Sequence, residues 1–235
     1  MKAIFIILVL FQQFSSEEVL NKLRRNLKYN TSRFTAEIEI KKGKRILTKS
    51  FKGYSKSENF YLEFTNPEDR GVKYLKLKDN LYIYLPDIDD VVRLSGDMLK
   101  QSFMGSDLSY EDVMQEDPLK YYMSTSMSDT MIGERKYAIL ELVDTTGSAP
   151  YYKIRMIVDP NKGIWLKEEL ITKSGRKIKE VEAVEFRNFK GREFPTLIVM
   201  RDLRLKDSYT KFVFKEIELD IPVPEKYFLL SELKK

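Results

Sequence analysis

Acids, hydroxyls and amines are the only side chains here that could do chemistry. The 235-residue sequence carries 41 Lys and Arg and 36 Asp and Glu, but no His and no Cys. That composition removes the usual Ser-His-Asp triads, thiol nucleophiles and most zinc sites. The carboxylates are spread over the whole chain, so no acid and base pair stands out. No Ser-x-x-Lys lies in an active-site context. Asp87, Asp89 and Asp90 alternate oxygens in one turn, yet the turn lacks the Gly and distal Glu of a calcium loop, and a solvated turn is the plainer reading. The expectation is a protein that is not an enzyme and takes neither cofactor nor metal.

What remains is the chemistry of binding apolar matter. Met98, Leu99, Phe103 and Met104 form an oily, Met-rich segment, broken by Gly105 and restarted by the N-cap pattern Ser109-x-x-Asp112. By residue type these side chains cap a core or close over something. Arg93, just upstream, is either one more solvated charge or a tie to that segment. Alternation also groups Phe34, Ile38, Phe60, Leu62, Phe64, Leu75, Leu77, Ile83 and Leu85, which as types are core and in an open sheet would be a wall.

Several elements must position these residues. Met1 and Lys2 followed by the apolar run 3–11 suit a secretory signal peptide over residues 1–16, too short to span a bilayer; a buried N-terminal strand is the other reading. Without Cys, no lipoprotein acylation and no disulfide is available. Ser16 reads as the N-cap of an amphipathic helix, with Val19, Leu20, Leu23 and Leu27 on one face and basic residues in its later turns. The period then drops to two: Phe34, Ala36, Ile38 and Ile40 alternate with polar residues. Strands follow over 46–54, 60–64, 72–78 and 81–85, the last two joined at Asp79-Asn80. After the insert, 121–127 is a weak strand. Firmer ones cover 137–143, 152–158, 165–172, 177–187, 196–205 and 209–219, before Pro222 and Pro224 stop the sheet and a tail from Tyr227 to Leu230 packs on its edge. Gly and Pro are scattered and no linker divides the chain, so residues 17–235 read as one domain. The net charge of +5 is small and interspersed, which gives no nucleic-acid footprint. About eleven strands at hairpin spacing imply a mainly β protein, a large antiparallel sheet curved into a barrel or half-barrel.

At this point the residues resemble a known family. Tyr82-Ile83-Tyr84-Leu85-Pro86, then Val92-Arg93-Leu94-Ser95-Gly96, then the run from Ser102 through Phe103-Met104-Gly105-Ser106-Asp107 to Asp112, are similar to the outer-membrane lipoprotein-sorting proteins of the LolA-like fold group. So are Ile132-Gly133-Glu134-Arg135, Ile157-Val158-Asp159-Pro160, Lys173-Ser174-Gly175-Arg176, and the 213–218 strand before Pro224-Glu225-Lys226-Tyr227-Phe228. Tyr82 stands where the family commonly has Trp. The resemblance implies an unclosed antiparallel β-barrel with helices covering the concave face, around an apolar cavity for acyl chains. It implies a lid of Met98, Leu99, Phe103 and Met104, a latch at Arg93, and the alternating residues above as cavity lining. It further implies a soluble periplasmic or secreted carrier of lipoprotein acyl chains or lipids, loaded by an inner-membrane transporter and relieved by an acceptor at the outer envelope. An envelope-stress sensor of the same fold, binding lipid or a partner peptide, is the alternative, and a structural sheet with a filled core is a third.

Overall fold

The computed structural model describes residues 14–115, 117 and 119–235. The signal peptide expected over residues 1–16 therefore falls almost wholly outside the described residues. Alternating patterns become strands β1 (Thr31–Lys42), β2 (Arg45–Lys56), β3 (Asn59–Phe64), β4 (Lys73–Leu77), β5 (Asn80–Leu85) and β6 (Asp90–Leu94). After the insert come β7 (Tyr122–Ile132), β8 (Arg135–Asp144), β9 (Lys153–Asp159), β10 (Ile164–Ile171), β11 (Lys177–Phe189), β12 (Arg192–Asp202) and β13 (Ser208–Leu219).

All of them join one 13-stranded sheet in the order β6-β5-β4-β3-β2-β1-β13-β12-β11-β10-β9-β8-β7. Each strand pairs with its sequence neighbour except where β1 meets β13, setting Ile38 beside Phe212. The result is a chain of antiparallel hairpins left open between β6 and β7. The strand count exceeds the expected eleven for two reasons. β6 was hidden in the insert as a short extended run, and the Ser and Thr residues of β7 blur its period.

Among the described residues two α-helices accompany the sheet. The capping box of α1 (Ser16–Leu27) starts one residue earlier than its sequence suggests. The Ser15 hydroxyl accepts from the Glu18 N–H at 3.2 Å, and the Glu18 carboxylate accepts from the Ser15 N–H at 2.8 Å. Both orphan donors at the helix start are thereby satisfied. Val19, Leu20 and Leu23 form its buried stripe. The helix lies so close to the β9–β10 turn that a Cβ on Gly163, whose φ is +67°, would stand 2.5 Å from the Lys22 Cβ. Asn26 then donates to the carbonyls of Lys162 and Gly163 at 2.9 and 2.6 Å. α2 (Tyr110–Met114) has only 5 residues. The cover expected to consist of helices is thus one substantial helix and a run of 3-10 turns, Gly96–Lys100 and Phe103–Gly105.

We call the face under α1 and the insert the inner face. The outer face differs between its halves. Over β8–β12 it carries crossed ion pairs, among them Arg155–Glu169, Lys177–Glu180 and Arg201–Glu182. Over β2–β6 it is aromatic and apolar, with Tyr54, Tyr61, Leu75 and Tyr82 clustered beneath the C-terminal segment. There Tyr227 stacks on Tyr54 at 3.9 Å and Leu233 is wholly buried, while Leu229 and Leu230 stay exposed. The tail therefore packs on the face of the sheet and not on its edge. Among the described residues no helix is long and apolar enough to cross a membrane.

Candidate functional site

Residues paired across antiparallel strands share a face, so the register states which side chains line the inner surface. One row runs Phe34, Gly53, Leu62, Tyr74, Ile83, Val92 across β1 to β6. Gly53 is required in it: a Cβ there would meet the Phe34 ring at 2.3 Å. Phe34, Ile38, Phe60, Leu62, Phe64, Ile83 and Leu85 all fall in one inner cluster, together with Phe51, Tyr74, Phe212 and Phe214, which the sequence reading did not single out.

Leu75 and Leu77 are a correction. Because Tyr74 occupies the inner row on β4, its neighbour Leu75 points to the outer face, opposite Tyr61 and Tyr82, and Leu77 goes with it. Two buried lysines made β4 hard to read. Lys76 lies on the inner side and donates to the Glu58 carbonyl. Lys73 lies on the outer side and donates to the Leu233 carbonyl at 3.1 Å.

The insert crosses this wall on its way from β6 to β7. Residues 101–110 fold back on themselves, with Phe103 N–H donating to the Leu108 carbonyl at 2.8 Å and Tyr110 N–H to that of Gln101 at 3.1 Å. Phe103, 1% exposed, is the plug: its ring sits 5.3 Å from Tyr74, 5.8 Å from Tyr110 and 6.1 Å from Phe64. Met104 and Leu99 pack beside it, and the Tyr74 hydroxyl donates to the Met104 sulfur at 2.8 Å. Met98 is exposed and does not join them. Met104 holds a left-handed φ of 51°, a conformation uncommon outside glycine.

Two carboxylates pin the insert: Asp107, which its local sequence does not mark, and Asp112, which the Ser109-x-x-Asp112 pattern marks as a helix cap and not as an anchor. Asp107 is buried. Its carboxylate accepts from the Asp202 N–H at 3.0 Å, Ser208 at 2.9 Å and Thr210 at 2.8 Å, which fixes the fold-back to the β12–β13 turn. Asp112 accepts from Lys179 Nζ at 2.5 Å and from the Tyr151 hydroxyl at 2.6 Å, with both side chains of the ion pair almost fully buried. Burial, reinforced by the Asp112 charge, pushes the Tyr151 phenol far above its ordinary range, so it stays a donor. Arg93 does not take part in this anchoring. It is exposed and pairs across from Tyr82, whereas its neighbours Val92 and Leu94 face the insert.

The β7–β11 half of the inner face is lined by Leu140, Leu142, Ile154, Met156, Val158, Leu170 and Val181 beneath α1. Leu108 of the insert touches both halves. Glu168 stands in this half between Met156 and Val181. Burial alone pushes its carboxyl up to about 7. A cleft of about 480 Å³ opens beside α2, from Glu58, Lys76 and Leu99 on one side to Tyr121 and Ala149 on the other. Burial also raises the Glu111 carboxyl on its wall.

With this geometry established, three comparisons bear on it. A family model described as uncharacterized-protein-like matches residues 56–235. No curated protein matches the sequence. Among solved structures, a DUF1329-family protein from Desulfovibrio piger superposes with a TM-score of 0.83 at 25% identity, over 92% of this chain and 96% of that one. An outer membrane lipoprotein-sorting protein domain from Vibrio parahaemolyticus gives 0.81 at 19%, over 93% and 97%. A LolA superfamily protein from Nitrosomonas europaea gives 0.78 at 21%, over 94% and 100%.

Proposed function

We propose a carrier function on one premise: the chain belongs to the family matched over residues 56–235, and its fold is LolA-like. The protein binds lipoprotein acyl chains or lipids non-covalently on the inner face of its open sheet, without catalysis. The observation that carries this reading is the contrast between wall and cover. A continuous apolar and aromatic wall is closed by an irregular insert that joins the two free edges of the sheet. The wall around Phe103 is filled by the insert, so cargo enters when the insert lifts and its apolar side chains give way to acyl methylenes. Each methylene buried is worth about 0.8 kcal/mol. Loading and unloading are then an exchange of similar surfaces, which lets cargo be taken and given up. Binding occurs in the periplasm, between an inner-membrane transporter and an acceptor at the outer envelope.

The test is an organic extract of the purified protein, analysed by mass spectrometry, with a parallel titration of a fluorescent acyl probe. Co-purified lipid or acyl peptide, or saturable probe binding, is expected. Leu62→Glu should abolish that binding, and Phe60→Glu, at a half-buried wall position, should weaken it in a protein whose circular dichroism remains native. A clean extract with no saturable binding would overturn the reading.

A further inference from the structure

The positive charge that is interspersed along the sequence is gathered by the fold at one end of the sheet. Three connections meet there: residues 43–44 between β1 and β2, 172–176 between β10 and β11, and 203–207 between β12 and β13. Because β1 pairs with β13, the first and the last lie side by side, and the Gly43 N–H donates to the Asp207 carbonyl at 2.9 Å. The Leu203 N–H donates to the Ile178 carbonyl at 2.8 Å, which joins the remaining turn to them.

Little neutralises the cations on these turns. Lys42, Lys44 and Arg45 stand at the first, Lys173 and Arg176 at the second and Lys206 at the third. All are exposed and, among the described residues, in no ion pair. Arg204 is tied to Asp202 and Lys177 to Glu180, each at 2.5 Å. The acid left on the three turns is Asp207, so the unpaired charges leave a surplus of five, the net charge of the entire chain. At the opposite end of the sheet the turns mix their signs: Lys78 precedes Asp79, Glu134 precedes Arg135, and Lys162 follows Asp159. The acidic turn of Asp87, Asp89 and Asp90 shares the cationic end but lies at the β5–β6 edge, beyond the β3–β4 connection.

Among the cations stand large aliphatic side chains that the core does not use. Ile46 and Leu47 follow Arg45 and are 54% and 39% exposed, while Leu203 and Leu205 flank Arg204 and are 41% and 44% exposed. None of the exposed side chains on these turns is aromatic. Nucleic-acid bases therefore find no ring to stack on. A protein partner would find Lys and aliphatic tips where protein interfaces favour aromatic anchors seated in pockets. Aliphatic tips set among Lys and Arg fit a bilayer surface. The tips enter the acyl boundary, and the ammonium and guanidinium groups stay at the phosphates.

We infer that this end of the sheet docks on an anionic phospholipid surface, with the β1–β2 and β12–β13 turns inserted and the β10–β11 turn held at the headgroups. The docking combines charge with apolar insertion and does not depend on the carrier reading. The β12–β13 turn is also the one that holds Asp107, so lipid meets the molecule where the insert is anchored.

The experiment is co-sedimentation of the purified protein with vesicles of phosphatidylcholine alone or mixed with phosphatidylglycerol. Binding is expected to the mixed vesicles only, and should weaken at about 1 M salt, where the Debye length shrinks to about 3 Å. Lys44→Gln, Arg176→Gln and Lys206→Gln together should weaken it about a hundredfold, each cation at such a surface being worth about a factor of five. Ile46→Ser with Leu205→Ser should weaken it about tenfold. Lys162→Gln with Lys190→Gln, at the opposite end, should bind as the parent does. All these positions are exposed, and native circular dichroism checks each fold. Absence of binding to the mixed vesicles, equal binding to both vesicle types, or an opposite-end variant as weak as the triple variant would overturn the docking. So would an Ile46→Ser, Leu205→Ser protein that binds as tightly as the parent.

Discussion

α1 and the insert cover two halves of one inner face, the first as a 12-residue helix and the second as 3-10 turns around a 5-residue helix. α1 is held by an apolar stripe, by a complete capping box, and by Asn26, Lys22 and Arg24 reaching backbone carbonyls on the far side. Its hold is distributed. The insert packs through short apolar side chains around the buried Phe103 ring, and its ties to distant strands converge on two carboxylates, Asp107 and Asp112. An element fastened at few points can open as a unit without unfolding the sheet beneath it. The difference teaches where movement belongs in this molecule. The helix is part of the folded body, and the insert is the part that can lift.

The sharpest way to break that comparison is to remove one apolar anchor from each cover. Leu23→Ala should cost about 2–5 kcal/mol and Phe103→Ala about 3–5 kcal/mol of local packing. The two losses should appear in different measurements. Leu23→Ala should lower the global unfolding midpoint in urea. Phe103→Ala should instead speed amide exchange over residues 96–114 by two orders of magnitude or more, each factor of ten being about 1.4 kcal/mol, with a smaller change in midpoint. It should also tighten acyl-probe binding, since the plug competes with cargo. Equal midpoint losses without selective exchange would mean that both covers belong to one cooperative unit.

A smaller effect sharpens the comparison from beneath α1. The Glu168 carboxyl is raised from 4.5 to about 7 by burial, so its ionisation opposes folding. The sign follows: below pH 4.5 the group is neutral in both states and costs nothing. Between pH 4.5 and 7 the unfolded chain ionises first, and the cost grows. Above pH 7 it is complete, at about 3 kcal/mol. Glu168→Gln should therefore raise stability by up to about that amount at pH 8 and leave it unchanged at pH 4. Urea unfolding at the two pH values checks this. A gain that is equal at both would assign the effect to packing and not to charge.

What the sequence made legible follows the same division. Wherever period two or period 3.6 ran unbroken, as over 34–40 and Val19–Leu23, strand and helix could be placed. The inner faces of β1, β3 and β5 came with them. β4 failed because its inner position is a Tyr and two of its buried residues are lysines, so alternation of type no longer reports alternation of burial. The anchors of the insert failed for another reason. Asp107 meets partners about one hundred residues away, at 202, 208 and 210, and Asp112 meets 151 and 179. Long-range polar contacts of this kind have no periodic signature. Glu168 was hidden within Lys167-Glu168-Glu169, where a bulge between Trp165 and Lys167 decides which acid turns inward.

The smallest predicted effect discriminates between two cations. Arg93 and Lys179 both lie on strands that border the insert, and proximity in sequence favours Arg93 as its tie. The register favours Lys179. Arg93 shares its face with Tyr82, Tyr84 and Val91, on the side away from Phe103, and its side chain is exposed. Lys179 is buried with its Nζ on Asp112. Exposed charges outside such pairings are worth no more than about 0.5 kcal/mol, so Arg93→Ala should leave both the urea midpoint and exchange over residues 96–114 unchanged within that margin. Faster exchange confined to the insert in Arg93→Ala would return the latch to Arg93, and would mean that the insert is tied at the sheet edge as well as across the inner face.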